Sequence, residues 1–254
     1  MKRVTPIRIA IGLAILAAIA VGVWTFRGPR VVVRTVCQSD RDDAVRVLFI
    51  GNSHTFVNDL PTVLCGMGAA SQPPVPLAVT EVVAPGYTLD QHLREGSAGR
   101  AVIGSRWTWV VLQEQSQTPF IDREGFDKSV HAFDALIQHA HAKTAVFALP
   151  PRRDARQNAD AVEEAYAQVA AEVGATVVPV GKAWMRAIAA RPDVELYQAD
   201  GYHPRPEGTY LGACVFYAKL TGRSPVGLPS HASSIALDAS LAAALQGVVA
   251  DLRL

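Results

Sequence analysis

Residues 45–55, VRVLFIGNSHT, decide the fold, because an apolar run ends there in a turn. Arg46–Gly51 is short, apolar after its first residue and followed by a polar turn, which is typical of a strand buried inside a sheet. Downstream, helical patterns alternate with four more such runs. The five predicted strands are Arg46–Gly51, Leu77–Val83, Trp107–Leu112, Thr144–Leu149 and Thr176–Val180. The predicted helices are Asn58–Ala70, Leu89–Ile103, Arg123–Ala142, Asn158–Val173, Lys182–Ala190, Pro206–Leu220 and Ser234–Leu252.

This alternation predicts the fold class. Short apolar strands joined by helices form a parallel sheet that helices cover on both faces. We therefore expect an α/β protein, a three-layer α/β/α sandwich around a mostly parallel five-stranded sheet. Ligands of such sheets bind outside the carboxyl ends of the strands, so functional residues are expected directly after each strand.

The first 36 residues are predicted to be a targeting segment. Ile9–Phe26 is an uncharged run of 18 residues with basic residues on both sides. As a helix it would reach about 27 Å, enough for the hydrocarbon core of a bilayer. Ala18-Ile19-Ala20 fits a cleavage site, whereas Trp24 favours an uncleaved anchor, so both alternatives stay open. We expect residues 1–36 to be a signal peptide or membrane anchor with its flanks, residues 37–254 to be the folded domain, and the protein to be exported, either membrane-anchored or periplasmic or extracellular.

Charge and composition exclude some classes of protein. Six of the 24 basic residues lie in residues 1–36, and the other 18 are outnumbered by 23 acidic residues. A nucleic-acid-binding domain would carry an excess of positive charge, so nucleic acid is not an expected partner. Half of the residues are hydrophobic and only 19% are charged, which argues against disorder.

The three cysteines give no disulfide or zinc pattern. Cys37, Cys65 and Cys214 are widely spaced and odd in number. Cys65 and Cys214 lie in apolar stretches, and we expect both to be buried free thiols.

Four polar elements follow the strands and the last loop. Ser53 follows the first strand and opens a helix, where its N–H could hold negative charge. Gly86 follows the second strand, and Gln113 the third. Asp200 and His203 share one loop, at a spacing that can place a carboxylate beside the imidazole Nδ1–H of a general base. Each element alone is also compatible with an ordinary turn, loop or helix cap.

Together the four elements resemble the SGNH (GDSL-like) hydrolase superfamily. The resemblance runs from about Val45 to Gly222, and VLFIGNSHT and DGYHPRPEGTYLGACVFYAKLTG are its specific parts. It implies a flavodoxin-like fold in which Ser53 is the nucleophile, His203 the general base and Asp200 the orienting acid, and it makes residues 37–254 the catalytic domain. The N–H groups of Ser53 and Gly86 would form the oxyanion hole.

Two positions depart from the superfamily pattern. Asn52 stands where Asp is more frequent, and VVLQEQS stands in place of the usual G-x-N-D block. The VVLQEQS block looks more like the block of carbohydrate acetylesterases in the same superfamily. On that analogy Gln113 replaces the oxyanion-hole asparagine, with Gln115 as the weaker candidate.

The resemblance implies a serine esterase that removes a small acyl group, such as O-acetyl on carbohydrate, through an acyl-enzyme. Neither a cofactor nor a metal is expected. The expected partners are a small-molecule or carbohydrate ester and, through the N-terminal helix, a membrane. The alternatives are an exported O-acyltransferase with the same triad, an enzyme that cleaves lipid esters or thioesters, a catalytically silent relative that binds glycan, and a structural membrane protein whose soluble part is only a scaffold.

Several other polar side chains remain ambiguous. His54 and His92 either line the pocket or serve packing. Arg152, Arg153 and Arg156 follow the fourth strand and meet either solvent or an anionic group of the substrate.

Overall fold

A computed structural model describes residues 29–252 and residue 254, and it shows a six-stranded sheet. The strands are β1 (Val32–Cys37), β2 (Val45–Gly51), β3 (Leu77–Val83), β4 (Trp109–Leu112), β5 (Lys143–Phe147) and β6 (Thr176–Val178). Their spatial order is β1-β3-β2-β4-β5-β6. All pairings are parallel except that of β1 with β3, which is antiparallel. The mostly parallel sheet is confirmed, with six strands where the sequence predicted five.

Helices cover both faces of the sheet. They are α1 (Ser53–Phe56), α2 (Leu60–Ala70), α3 (Leu89–Glu95), α4 (Ser97–Ile103), α5 (Thr118–Ile121), α6 (Arg123–His139), α7 (Ala159–Val173), α8 (Val180–Ala190), α9 (Pro206–Thr221) and α10 (Ala239–Asp251). One layer contains α2, α8, α9 and α10, and the other contains α3, α4, α6 and α7. Two 3₁₀ turns, Val57–Asp59 and Arg153–Asn158, and a small hairpin, His231–Ala232 with Ile235–Ala236, complete the elements. The three-layer sandwich is thereby confirmed.

Two predicted helices differ most from the observed ones, whereas the other five are shifted by one to three residues at one end. The helix predicted over Leu89–Ile103 is broken at Gly96, which takes a left-handed φ of 89° and ends α3. The helix predicted from Ser234 begins only at Ala239, because the hairpin uses the residues before it.

The core forms around β2. Val47, Leu48, Phe49 and Ile50 are completely buried, as expected for a central strand that is covered on both faces. Phe216 of α9 packs edge-on against Phe49, with ring centroids 5.1 Å apart. This packing ties α9, the helix that follows the Asp200–His203 loop, to the strand that precedes Ser53.

The strand β1 was not predicted, and it corrects the cysteine assignment. It lies across the boundary expected after residue 36 and belongs to the sheet. Cys37 at its end forms a disulfide with Cys65 of α2, so the expectation of a free thiol at Cys65 is wrong. Cys65 was misjudged because the sequence gives no sign that β1 passes beside α2. Cys214 is a buried free thiol, as expected.

The predicted membrane segment, residues 9–26, lies outside the described residues. Among the residues that the structure describes, none of the helices has the length and hydrophobicity to span a bilayer.

Candidate active site

Ser53 lies at the turn from β2 into α1. Because β2 pairs with β3 on one side and β4 on the other, this turn is at the switch point of the sheet, where ligands bind in such folds. Gly51 permits the turn, since a Cβ there would lie 2.5 Å from Gln113 Oε1. The side chain of Asn52 caps α1 by accepting the N–H of His54 at 3.3 Å. The turn therefore presents the Ser53 hydroxyl at the carboxyl edge of the sheet.

The structure brings Ser53, His203 and Asp200 into one hydrogen-bonded row. His203 Nε2 lies 2.9 Å from Ser53 Oγ, across 150 residues of sequence. On the other side of the ring, His203 Nδ1 lies 2.7 Å from Asp200 Oδ2. Gly201, with a φ of 68°, makes the tight turn that lets Asp200 reach back to His203. This is the order of contacts that activates a serine hydroxyl.

Hydrogen bonds keep Asp200 ionised. Its partial burial works to raise the pKa, but the His203 side chain and the backbone N–H groups of His203 and Tyr202 outweigh this effect. The pKa of Asp200 is consequently lowered to about 2. A permanently charged carboxylate can hold the His203 Nδ1–H and stabilise the imidazolium that forms when Nε2 takes a proton.

Asn58 and Arg153 hold the His203 loop in place. Asn58 Nδ2 donates to Pro204 O at 2.8 Å and lies 3.0 Å from Thr209 Oγ1. From the other side, the backbone N–H of Arg153 donates to Gly201 O at 2.9 Å. Sequence reasoning missed Asn58. Its left-handed φ of 55°, a conformation that asparagine tolerates, is visible only in the structure.

Gln113 does not donate into the site. Its Nε2 donates to Asn52 Oδ1 at 2.8 Å and to Glu114 O at 2.6 Å, so both amide hydrogens are used. Its Oε1 accepts the N–H of Asn52 at 2.7 Å and the hydroxyl of Thr55 at 2.9 Å. The residue is completely buried. The expected oxyanion contact is therefore replaced by a structural one, in which Gln113 fixes the turn that carries Ser53.

Two backbone N–H groups remain available at the site. Within residues 29–252, those of Ser53 and Gly86 donate to no acceptor. Gly86 is exposed with a φ of 69°, and the space around its Cα is open. Gln115, the alternative amide, accepts the N–H of Gln117 through its oxygen at 2.8 Å, and its Nε2 donates to no acceptor within residues 29–252. The backbone can thus offer two donors to a developing oxyanion.

His54 packs beneath the His203 ring. The two rings stack with centroids 5.6 Å apart, and His54 Nε2 lies 3.2 Å from Tyr202 O. Because a carbonyl oxygen only accepts, Nε2 must carry the proton. Burial, and then the nearby charge of His203, lower the pKa of His54 to about 4. A neutral His54 therefore supports the ring of His203 and does not line an open pocket.

His92 is also buried and holds the strand end. Its Nε2 lies 2.8 Å from Gly51 O, which requires the proton on that nitrogen. Burial lowers the pKa of His92 and keeps it neutral. Of the two alternatives left open for His54 and His92, the structure places both in packing and positioning.

Glu114 is a buried acid that sequence reasoning missed. Its carboxyl accepts the N–H groups of Leu89 and Gln115, which joins the start of α3 to the end of β4. Burial raises the pKa of Glu114 to about 7, against the opposing effect of these two hydrogen bonds. Its carboxyl oxygens are thus engaged by the backbone of Leu89 and Gln115.

The three arginines after β5 have different surroundings. Arg153 donates to Tyr197 O at 3.1 Å and pairs with Glu195 at 3.0 Å. Arg152 lies over the Tyr202 ring, 5.5 Å from its centroid, and Arg156 is exposed. Arg153 thus has a structural role.

No group of three or more His, Cys, Asp or Glu side chains that could hold a metal ion occurs among the described residues.

Comparisons with known proteins give structural matches. No family model matches the chain. No curated protein matches it either. A candidate SGNH hydrolase from Slackia heliotrinireducens is 26% identical, with a TM-score of 0.55 over 68% of this chain and 97% of its own. A DUF4886 family protein from Bacteroides uniformis is 19% identical, with a TM-score of 0.65 over 83% of this chain and 95% of its own.

An esterase has the same fold. Axe2, an acetyl-xylooligosaccharide esterase from Geobacillus, is 17% identical, with a TM-score of 0.56 over 71% of this chain and 95% of its own. The 26% identical Slackia protein supports the superfamily predicted from the sequence motifs, and the other two matches show the fold.

Proposed function

We propose that this chain, which resembles the SGNH (GDSL-like) hydrolases in its sequence motifs and in its fold, is an exported serine esterase that removes small acyl groups from carbohydrate. The observation that carries this proposal is the row of contacts from Ser53 Oγ through the His203 ring to Asp200, at 2.9 and 2.7 Å. Such a row makes an alcohol nucleophilic at neutral pH.

The proposed reaction proceeds through an acyl-enzyme. His203 Nε2 takes the Ser53 proton as Oγ attacks the ester carbonyl, and Asp200 stabilises the imidazolium. The N–H groups of Ser53 and Gly86 receive the negative charge on the carbonyl oxygen. The imidazolium then gives its proton to the leaving alcohol. Water, deprotonated by the same ring, attacks the acyl carbon; the bond to Ser53 Oγ then breaks, the imidazolium returns its proton to Oγ, and the acid is released.

Hydrolysis is favoured over acyl transfer because the site is open. The side chain of Asp200 is 45% exposed, and Gly86 lies at the surface. Transfer to a sugar hydroxyl requires that water be kept from the acyl-enzyme, whereas in the described part of the chain both Asp200 and Gly86 are open to solvent.

Carbohydrate as the alcohol portion is supported by similarity. The VVLQEQS block is like that of carbohydrate acetylesterases, and Axe2 has the same fold. Export is supported by the Cys37–Cys65 disulfide, since disulfides persist mainly in oxidising compartments.

Replacing the nucleophile tests the proposal. We expect Ser53→Ala to lower turnover of p-nitrophenyl acetate and of acetylated xylo-oligosaccharide by more than about a thousandfold, because the nucleophile is lost. The oxyanion donors and substrate binding remain and account for the residual rate. Ser105→Ala, an exposed serine before β4, is the matched control and should leave turnover unchanged. Labelling by a fluorophosphonate probe should disappear only in the Ser53 variant. Full turnover by Ser53→Ala would refute the mechanism, and absence of labelling in the wild type would indicate a catalytically silent protein.

A further inference from the structure

We propose that the carboxyl edge of the sheet, with Ser53 at its centre, faces a lipid bilayer, and that the substrate is an ester held in that bilayer. This inference rests on the proposed function and on the predicted membrane anchor. Its basis is the place where the N-terminal segment joins the folded domain.

The chain enters the domain at the same edge as Ser53. Val32, the first residue of β1, pairs with Val83, and Val83 pairs on its other side with Gly51. These three residues form one row across the sheet, so Val32 lies about 10 Å from Gly51. Because β1 is antiparallel to β3, the residues before Val32 extend beyond the carboxyl edge. There Tyr87, next to Gly86, donates its hydroxyl hydrogen to Pro29 O at 3.2 Å.

The entry strand is firmly attached to the domain. Arg34 of β1 forms ion pairs with Glu81 at 2.7 Å and with Asp59 at 2.6 Å. The Cys37–Cys65 disulfide holds the other end of β1. These bonds prevent β1 from peeling away and lengthening the tether.

The tether between the uncharged run and β1 is short. The run ends at Phe26, and only residues 27–31 separate it from Val32. A fully extended chain over that distance spans at most about 22 Å. If residues 9–26 lie in a bilayer, the domain cannot turn its Ser53 edge far from the membrane surface.

Apolar side chains are exposed at this edge. Val32 is 48% exposed, and Phe120 and Ile121, on the short helix after β4, are 46% and 77% exposed. Arg27 and Arg30 in the tether suit the anionic headgroups beside them. An apolar edge with flanking positive charge is suited to contact with a lipid surface.

Fluorescence quenching tests the orientation without reference to activity. The full chain is reconstituted into vesicles that contain nitroxide-labelled lipid, and a fluorophore is attached to Ile121→Cys or to Ser105→Cys. Ser105 is exposed before β4, at the opposite edge of the sheet. Cys214 is buried, and the wild-type chain controls for its labelling. We expect strong quenching at position 121 and little at position 105. Equal quenching at both positions, or failure of the chain to float with the vesicles, would overturn the inference.

A kinetic experiment tests the substrate. Octadecyl glucoside tetra-acetate is held in the vesicle by its alkyl chain, and methyl glucoside tetra-acetate presents the same esters in solution. Inserting twenty Gly and Ser residues between Gly28 and Pro29 should lower the rate of deacetylation of the octadecyl glucoside about fivefold to tenfold, because effective concentration falls as a tether lengthens. The rate of deacetylation of the methyl glucoside should not change. An unchanged octadecyl rate would refute a bilayer-held substrate.

Failure of the proposed function gives a different result. In that case Ser53→Ala would hydrolyse both glucosides as fast as the wild type, while the quenching at positions 121 and 105 would still report the orientation.

Discussion

At the scale of single residues, Asn58 is one of two side chains, with His54, that link the two halves of the site. It lies five residues after Ser53 and donates to the backbone of the His203 loop at Pro204 O. The contact between Ser53 and His203 therefore depends on a side chain that takes no part in the chemistry. We regard Asn58 as a positioning residue.

Asn58→Gly should lower kcat with little change in KM. Glycine accepts the φ of 55° without strain but cannot donate to the loop. Misplacement of a catalytic group by about 1 Å costs about a hundredfold in rate, so we expect a tenfold to hundredfold loss in kcat. Stability should fall by about 1–2 kcal/mol. Asn158→Gly, an exposed asparagine before α7, is the control for kinetics on p-nitrophenyl acetate. A rise in KM at constant kcat would contradict the positioning role.

His54 should make stability depend on pH. Its pKa is about 4 in the folded protein and about 6.5 in the unfolded chain, so the unfolded chain binds more protons between these values. The contribution of His54 to the free energy of unfolding should therefore fall by about 3 kcal/mol as pH drops from 6.5 to 4, while Glu114, with a folded pKa of about 7, contributes in the opposite direction. Urea denaturation across this range would measure it. His54→Phe should remove this part of the slope, whereas His139→Gln, at an exposed histidine, should keep it. An identical slope in His54→Phe would show that other groups cause it.

At the scale of elements, the parallel strands could be predicted and β1 could not. A strand that is buried on both faces is an uninterrupted apolar run, and β2 has this pattern. The edge strand β1 pairs on one side only, exposes Val32 and Val33, and follows directly on a longer hydrophobic run. In the sequence, β1 therefore looks like part of the flank of the hydrophobic run at residues 9–26. The disulfide was missed for the same reason, since it forms only because β1 lies beside α2.

The site was partly predictable, because the order of strands brings certain residues to one edge. Ser53 and Gly86 follow neighbouring parallel strands, so their proximity follows from topology. The role of Gln113 does not follow from topology, since the direction of an amide side chain depends on its partners in space. Here the partners are Asn52 and Glu114, and they turn Gln113 away from the Ser53 hydroxyl.

At the scale of the whole molecule, one continuous core supports a site that lies at its rim. The completely buried residues of β2 contact both helical layers, whereas the Asp200 and His203 side chains are partly exposed. Global stability and catalytic geometry thus depend on different contacts. Loss of core contacts should reduce the population of folded enzyme, and loss of contacts that position Asp200 and His203 should reduce the turnover of each folded molecule.

Leu48→Ala separates these two quantities. Leu48 is completely buried in the central strand, and its truncation should lower the free energy of unfolding by about 2–5 kcal/mol. Turnover per folded molecule should stay within about twofold of the wild type, because Leu48 lies five residues from Ser53 and contributes to the core alone. Urea denaturation gives the stability, and titration with a fluorophosphonate gives the number of active molecules. Val33→Ala, 56% exposed in β1, is the control and should change stability by less than about 0.5 kcal/mol. A large loss of turnover per titrated site in Leu48→Ala would mean that the core and the Ser53–His203 contact are coupled. Asn58→Gly differs, because there we expect each folded molecule to lose turnover.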